Sequence, residues 1–286
     1  MDSFLVILFL SALRLSIPLM FAAYGAYFSE KSGVAQISVE AFLLVGAFSA
    51  ATTAYFTNSL ALSFFIAALS AVLLAQIFCL LVLKLKTHSI IAGTGLNLLA
   101  LGLIPIISKS IFNSTGSTPA HTMNEYSGFW PMGLLVVTAA LCYYISEKSI
   151  WGLQMKFAGE KSAALASIGV STVQRQWQSV TLGASIAGLG GAVLSLFMSS
   201  SYSPMMSAGR GFIALAAVIF AGWKINKAII ICFFFGLTEA LQIQLQSNQQ
   251  ISNYVPAIIL QILPYLLTLI VLLTYKEKNQ APAELR

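Results

Sequence analysis

The chain has 286 residues, of which 58% are hydrophobic and 8% charged, with a mean hydropathy of +0.86. Soluble domains carry about 25% charged residues, so no water-soluble fold of this length has enough polar surface to cover itself, and lipid must be the solvent. The net charge of +6 is scattered through short connections rather than along one exposed face, which excludes a nucleic-acid-binding stripe.

In lipid each crossing must satisfy its own backbone hydrogen bonds, which leaves helices or a closed barrel. The apolar runs are about 20 residues long and show no period-2 alternation, so the barrel fails. The expectation is an all-α polytopic membrane protein forming one transmembrane domain over residues 1–286. Nine apolar segments stand out, at about 3–25, 37–56, 60–83, 88–112, 132–147, 178–197, 211–223, 228–246 and 256–274. The first lacks a basic flank and a small-residue cleavage site, so it reads as a retained span.

In the second segment Glu40 is either a helix N-terminal acid stabilised by the helix dipole or a pore-lining group. The fourth carries Thr94, Gly95 and Asn97 in AGTGLNLLALGL. An Asn amide facing lipid would lose its hydrogen bonds, so Asn97 belongs to a helix–helix contact or to a substrate path. The connection 113–131 is polar, with Phe129 and Trp130 suited to an interfacial anchor.

Residues 147–177 form the one long amphiphilic interruption, with Lys148, Lys156, Lys161 and Arg175 between apolar blocks. Within it EKSAALASI, from Glu160 to Ile168, predicts a short helix with Ala163, Ala164 and Ser167 on one small-residue face, bounded by Gly159 and Gly169. Such a helix with basic flanks fits a groove on a partner protein, or lies on lipid headgroups. The next segment, LGASIAGLGGAVLSL, holds Gly183, Gly188 and Gly191 among small residues, with Ala184/Gly188 and Ala187/Gly191 at small-xxx-small spacing, which lets helices approach closely. Segment 211–223 covers only about 20 Å of a roughly 30 Å core and reads as a half-helix. Glu239 falls near the outer third of its helix.

Twelve of the fifteen Lys and Arg collect on one side if the C-terminus is cytoplasmic. The positive-inside rule therefore puts the C-terminus inside and, for nine crossings, the N-terminus outside. Cys79, Cys142 and Cys232 lie singly in apolar blocks and read as small buried hydrophobes. His88 and His121 stand alone, so no metal is expected. The run Gly159-Glu160-Lys161-Ser162 lacks the earlier glycine of a phosphate-binding loop. No catalytic constellation appears, so neither enzyme activity nor a cofactor is expected.

Six segments in order resemble the permease subunits of ATP-binding-cassette importers for nucleosides, simple sugars and branched-chain amino acids. They are GVAQISVEAFLLVGAFSAA, AGTGLNLLALGL, AGEKSAALASIGVS with the GASIAGLGGA helix, GRGFIALAAVIFAGW, FFGLTEALQIQLQ and LPYLLTLIVLL. Departures fall at Gln36, Ser38, Ala41 and Lys161, where the family pattern has Asn, Gly, Gly and Asn. The resemblance implies a type II importer permease fold in a bacterial cytoplasmic membrane. It implies a nucleoside as cargo, with sugars or branched-chain amino acids as alternatives, and an ion-coupled secondary transporter as the competing class. The implied partners are a cytoplasmic ABC ATPase, a second permease forming a paralogous heterodimer, an external substrate-binding protein, a small-molecule substrate and the bilayer, with no nucleic acid. Glu40, Thr94, Asn97 and Phe212 are then candidates for the translocation path. Gly159, Glu160, Ala163, Ala164 and Gly169 are candidates for ATPase coupling.

Overall fold

A computed structural model describes residues 2–114, 116–120, 130–247 and 281–285, together with residues 262 and 266. The described chain is built of helices: α1 (Asp2–Lys31), α2 (Val39–Thr57), α3 (Leu60–Cys79), α4 (Ser89–Phe112), α5 (Trp130–Tyr143), α6 (Ile150–Glu160), α7 (Ser162–Ser167), α8 (Thr172–Val193), α9 (Arg210–Phe220) and α10 (Ile225–Ser247). Wider π-turns extend α3, α5 and α8 to Lys84, Lys148 and Met198. Among the described residues seven helices are long and apolar enough to cross a membrane, and α9 is a shorter apolar helix. The first eight predicted segments each fall on one helix. The ninth, 256–274, lies outside the described residues apart from 262 and 266.

Helix α8 forms the axis of the bundle, because its small residues let three neighbours close onto its backbone. A methyl group added at Gly183 would fall 2.3 Å from the Gly25 carbonyl oxygen of α1. One at Gly191 would fall 2.1 Å from the Leu43 carbonyl oxygen of α2, and one at Gly188 would fall 2.7 Å from that of Ala67 in α3. Ala184 and Ala187 are fully buried beside them. Backbones this close gain dispersion contacts that longer side chains would prevent. Gly188→Leu therefore forces α3 away and is expected to cost about 1–3 kcal/mol or more from overpacking. Thermal unfolding in detergent reads this directly, and an unchanged midpoint would show that α8 is not the axis.

Running parallel to α8, α2 packs along it, while α1 and α3 run antiparallel. The C-terminal ends of α1, α3 and α5 consequently meet the start of α8 at one end of the bundle. Gln76 near the foot of α3 bonds Thr181 and the Trp177 indole there. Lys31, Lys84, Lys148, Lys156, Lys161, Arg175, Lys224 and Lys227 all belong to this end, whereas Lys109 sits in the last turn of α4 at the other. Residues 283–285 also reach the basic end, where the Glu284 side chain lies against Gly33. The three cysteines are free and buried, as expected of small hydrophobes.

Candidate functional site

Two polar assemblies stand out in this apolar bundle. The first begins where α1 gives way to α2. After Lys31 the chain turns back, and the Gln36 amide donates to Glu30 Oε1 at 2.8 Å. Ser38 occupies the N-cap of α2 but makes no side-chain cap bond. Asn97, from α4, does that work instead. Its Oδ1 accepts the otherwise unpaired Ala41 amide at 2.9 Å, and its Nδ2 donates to the Ile37 carbonyl at 3.0 Å. Both ends of the amide are thus used inside the chain, which is how a buried Asn avoids its desolvation cost.

Glu40 then reaches from the first turn of α2 to the head of α9. Its Oε1 accepts from Ser207 Oγ at 2.5 Å and from the Gly209 amide at 3.0 Å. Its Oε2 accepts from the Gly211 amide at 2.7 Å. A helix N-terminus leaves its first amides unpaired and carries partial positive charge, so a carboxylate from a neighbour both caps and neutralises it. The flanking glycines serve this contact. Gly209 has φ +80°, and a methyl group at Gly211 would meet the Glu40 backbone nitrogen at 2.5 Å.

Between these glycines Arg210 turns the other way and pairs with Glu239 of α10, so the two ionisable groups neutralise each other within the bundle. At the far end of α9, Trp223 adopts a positive φ and donates its indole N–H to Glu30 Oε2 at 3.2 Å. The half-helix is therefore held at its head by Glu40 and at its tail by Glu30.

The structure brings Glu40 and Asn97 together around the start of α2 and buries both. Thr94 and Phe212 stand elsewhere, exposed on the surfaces of α4 and α9, and the Thr94 hydroxyl is spent on the Ile90 carbonyl of its own helix. Sequence reading missed Glu30, Ser207, Gly209 and the Arg210–Glu239 pair. The Gly-Arg-Gly run was the available signal, since glycines flanking a charge inside an apolar stretch call for a special backbone.

The second assembly is the loop 147–177. Helix α6 is capped by Ser149, and its Lys156 pairs with Glu147 at 2.7 Å. Gly159 packs so tightly on the end of α1 that a methyl group there would fall 2.4 Å from the Lys31 carbonyl oxygen. Glu160 pairs with Lys31 at 3.1 Å. The predicted helix is shorter than its sequence pattern, because Gly159 and Glu160 complete α6 and a break at Lys161 starts α7 at Ser162. Within α7, Leu165 is buried as an anchor, while Ala163, Ala164 and Ser167, and Ile168 just past its end, face outward. Gly169, at φ +74°, ends the turn, and the Val170 amide returns to the Leu165 carbonyl at 3.1 Å. The result is a small exposed knob on a base fixed to α1.

Among the described residues no group of three His, Cys, Asp or Glu could hold a metal ion. The family model described as branched-chain amino acid transport system, permease component, matches residues 8–272. The chain belongs to this family. Among its relatives, the nucleoside ABC transporter permease protein NupC of Lactococcus lactis is 30% identical over 93% of this chain and 91% of its own length. The guanosine ABC transporter permease protein NupQ of Bacillus subtilis is 26% identical over 93% and 90%. The putative glucose ABC transporter permease protein TsgC13 of Haloferax volcanii is 27% identical over 80% and 74%. No solved structure matches the chain. The protein is thus a multi-pass membrane permease subunit of the ABC transporter class.

Proposed function

We propose that this permease is one half of the gate of an ATP-driven importer for nucleosides. The full-length likeness to two permeases named for nucleoside and guanosine transport supports the cargo. The observation that carries the mechanism is the α7 knob, exposed at its tip and fixed at its base to α1 through Gly159 and the Lys31–Glu160 pair. A cytoplasmic ATPase would grip Ala163 and Ala164, with Gly169 setting the end of the gripped turn. Closure of two ATPases would pull on α1 through that base and on α2 through the connection 32–38. Coupling of this kind needs contacts that differ between the two states, and the α1–α2 junction supplies an element that two sites can bias.

In this reading the basic end, with the chain's C-terminal turn, faces the cytoplasm of a bacterial inner membrane, as the concentration of lysines there favours. A second, paralogous permease completes the pathway, and an external binding protein delivers cargo at the opposite face. Thr94 and Phe212 lie exposed and are the side chains offered to that seam. Glu40 and Asn97 act behind them as positioning residues. ATP hydrolysis resides on the separate subunit.

Uptake of labelled guanosine and uridine by vesicles holding the permease pair, its ATPase and its binding protein tests this reading. Saturable, ATP-dependent uptake that excess unlabelled nucleoside suppresses, and that ribose or glucose does not, is the expected result. Suppression by glucose instead would move the cargo to the sugar class, which a relative named for glucose keeps as the second reading. Uptake driven by a proton or sodium gradient without ATPase would overturn the ABC mechanism.

A further inference from the structure

The α7 knob is tied into the bundle on both sides. Behind it, Gly159 and Glu160 at the end of α6 fix its base to α1. Ahead of it, the chain turns at Gly169 and enters α8 almost at once. Ser171 caps that helix by accepting the Gln174 amide at 3.3 Å, and the Thr172 hydroxyl donates back to the Ser162 carbonyl of α7 at 3.4 Å. The knob is therefore bonded to the foot of α8 as well as joined to it.

The first turns of α8 then carry Gln176, Trp177 and Gln178 in succession. Consecutive helical residues point about 100° apart, so three in a row can address three different neighbours. Gln176 Nε2 donates at 3.2 Å to the Ser32 carbonyl, where α1 passes into the connection to α2. The Trp177 indole N–H donates to Gln76 Oε1 of α3 at 2.7 Å, and Gln76 Nε2 returns to Thr181 Oγ1, one turn further along α8, at 3.1 Å. Gln178 Oε1 accepts from the Trp151 indole of α6 at 2.9 Å and from Arg175 at 2.8 Å. The Trp151 ring in turn leans on Phe28 of α1, with centroids 6.2 Å apart. From Gly183 onward α8 meets its neighbours backbone to backbone. At its foot, long side chains hold them by bonds that weaken steeply with misalignment, whereas apolar contact has no direction.

We propose that Gln176, Trp177 and Gln178 are positioning residues of the transport cycle. They pass a displacement of the α7 knob through the foot of α8 to the α1–α2 junction, to α3 and to α6 at once. The inference rests on the reading of α7 as the element gripped by the ATPase. None of the three touches cargo or nucleotide; each acts by keeping a neighbouring helix in step with the knob.

The test uses vesicles holding the permease pair, its ATPase and its binding protein, with guanosine as cargo. The readouts are ATP hydrolysed per guanosine imported, ATPase co-purified with the permease, and the unfolding midpoint in detergent. Q76L/W177F removes the indole donor and its acceptor together, which leaves stability nearly unchanged because neither is orphaned. Thr181 keeps a bond there, from its hydroxyl to the backbone carbonyl of residue 177. Q176A releases the Ser32 carbonyl from α8. Both variants should retain the ATPase, and Q76L/W177F should keep the unaltered midpoint. Each should hydrolyse about two- to tenfold more ATP per guanosine, the factor that one ordinary hydrogen bond represents. Q174A, altered at an exposed side chain of the same turns, should keep the unaltered ratio. An unchanged ratio in Q76L/W177F or in Q176A, whatever the midpoint, makes the network a structural adhesive and overturns the proposal. An equal rise in Q174A overturns it too, as does loss of the ATPase from Q76L/W177F, which would place these residues in docking. Guanosine uptake by the unaltered vesicles without ATP would instead bring down the reading of the gate, and this proposal with it.

Discussion

Replacing Ala163 and Ala164 together by arginine is expected to abolish transport and recovery of the ATPase while the chain still folds and inserts. Both alanines point outward from α7, so the added guanidinium groups meet solvent and not the bundle core. In a docked state the same groups would have to enter a closely fitted groove beside Lys161. Burying an unpaired charge at an interface costs several kcal/mol, and about 3 kcal/mol is already a hundredfold loss of affinity. Vesicle uptake, co-purification of the ATPase and the detergent unfolding midpoint separate the outcomes. Lost uptake with an unchanged midpoint supports a docking knob. Normal uptake would remove α7 from the coupling path. Leu165→Asp makes the useful contrast, because that side chain is buried and its loss should lower the midpoint as well.

The second large effect is expected at Glu40. Truncation to alanine leaves the Gly209 and Gly211 amides and the Ser207 hydroxyl without their acceptor inside the bundle. An orphaned buried donor costs about 1–3 kcal/mol, so Glu40→Ala should destabilise the permease by roughly 3–5 kcal/mol, with transport falling in parallel. Glutamine keeps one carbonyl oxygen for these donors but turns an NH₂ group toward another, so its effect should be intermediate. A residue that contacted only the passing solute would behave differently, losing transport at a constant unfolding midpoint. That pattern in Glu40→Ala would refute the capping role and return Glu40 to the pathway itself.

Much of the helical framework was readable from the order of residues, because lipid leaves few solutions. Apolar runs of span length predict helices, and eight of the nine segments can be matched to helices in the described chain. Even the half-helix was visible, since segment 211–223, about 20 Å long, cannot cross the hydrocarbon, and the helix that forms there has 11 residues. The small-residue spacing in α8 pointed to close packing but could not say that α1, α2 and α3 are the three neighbours. What stayed hidden was partnership between distant polar groups. Glu40 reads as the acid in the first turn of its own helix, and it is that, yet its carboxylate serves α9, some 170 positions later. Asn97 likewise looks like interhelical glue, but nothing local reveals that it replaces a missing Ser38 cap. Such bonds depend on which helices touch, and hydropathy carries no record of that.

The two-ended attachment of α9 has a mechanical corollary. A rod pinned at its head to α2 by Glu40 and at its tail to α1 by Glu30 through Trp223 can tilt, but it cannot telescope. In the proposed gate, shear between α1 and α2 would thereby turn a stiff strut about its own middle. The span from Gly209 to Trp223 should stay constant through the cycle while the strut's inclination changes, so the aperture would be set by an angle and not by a stretch.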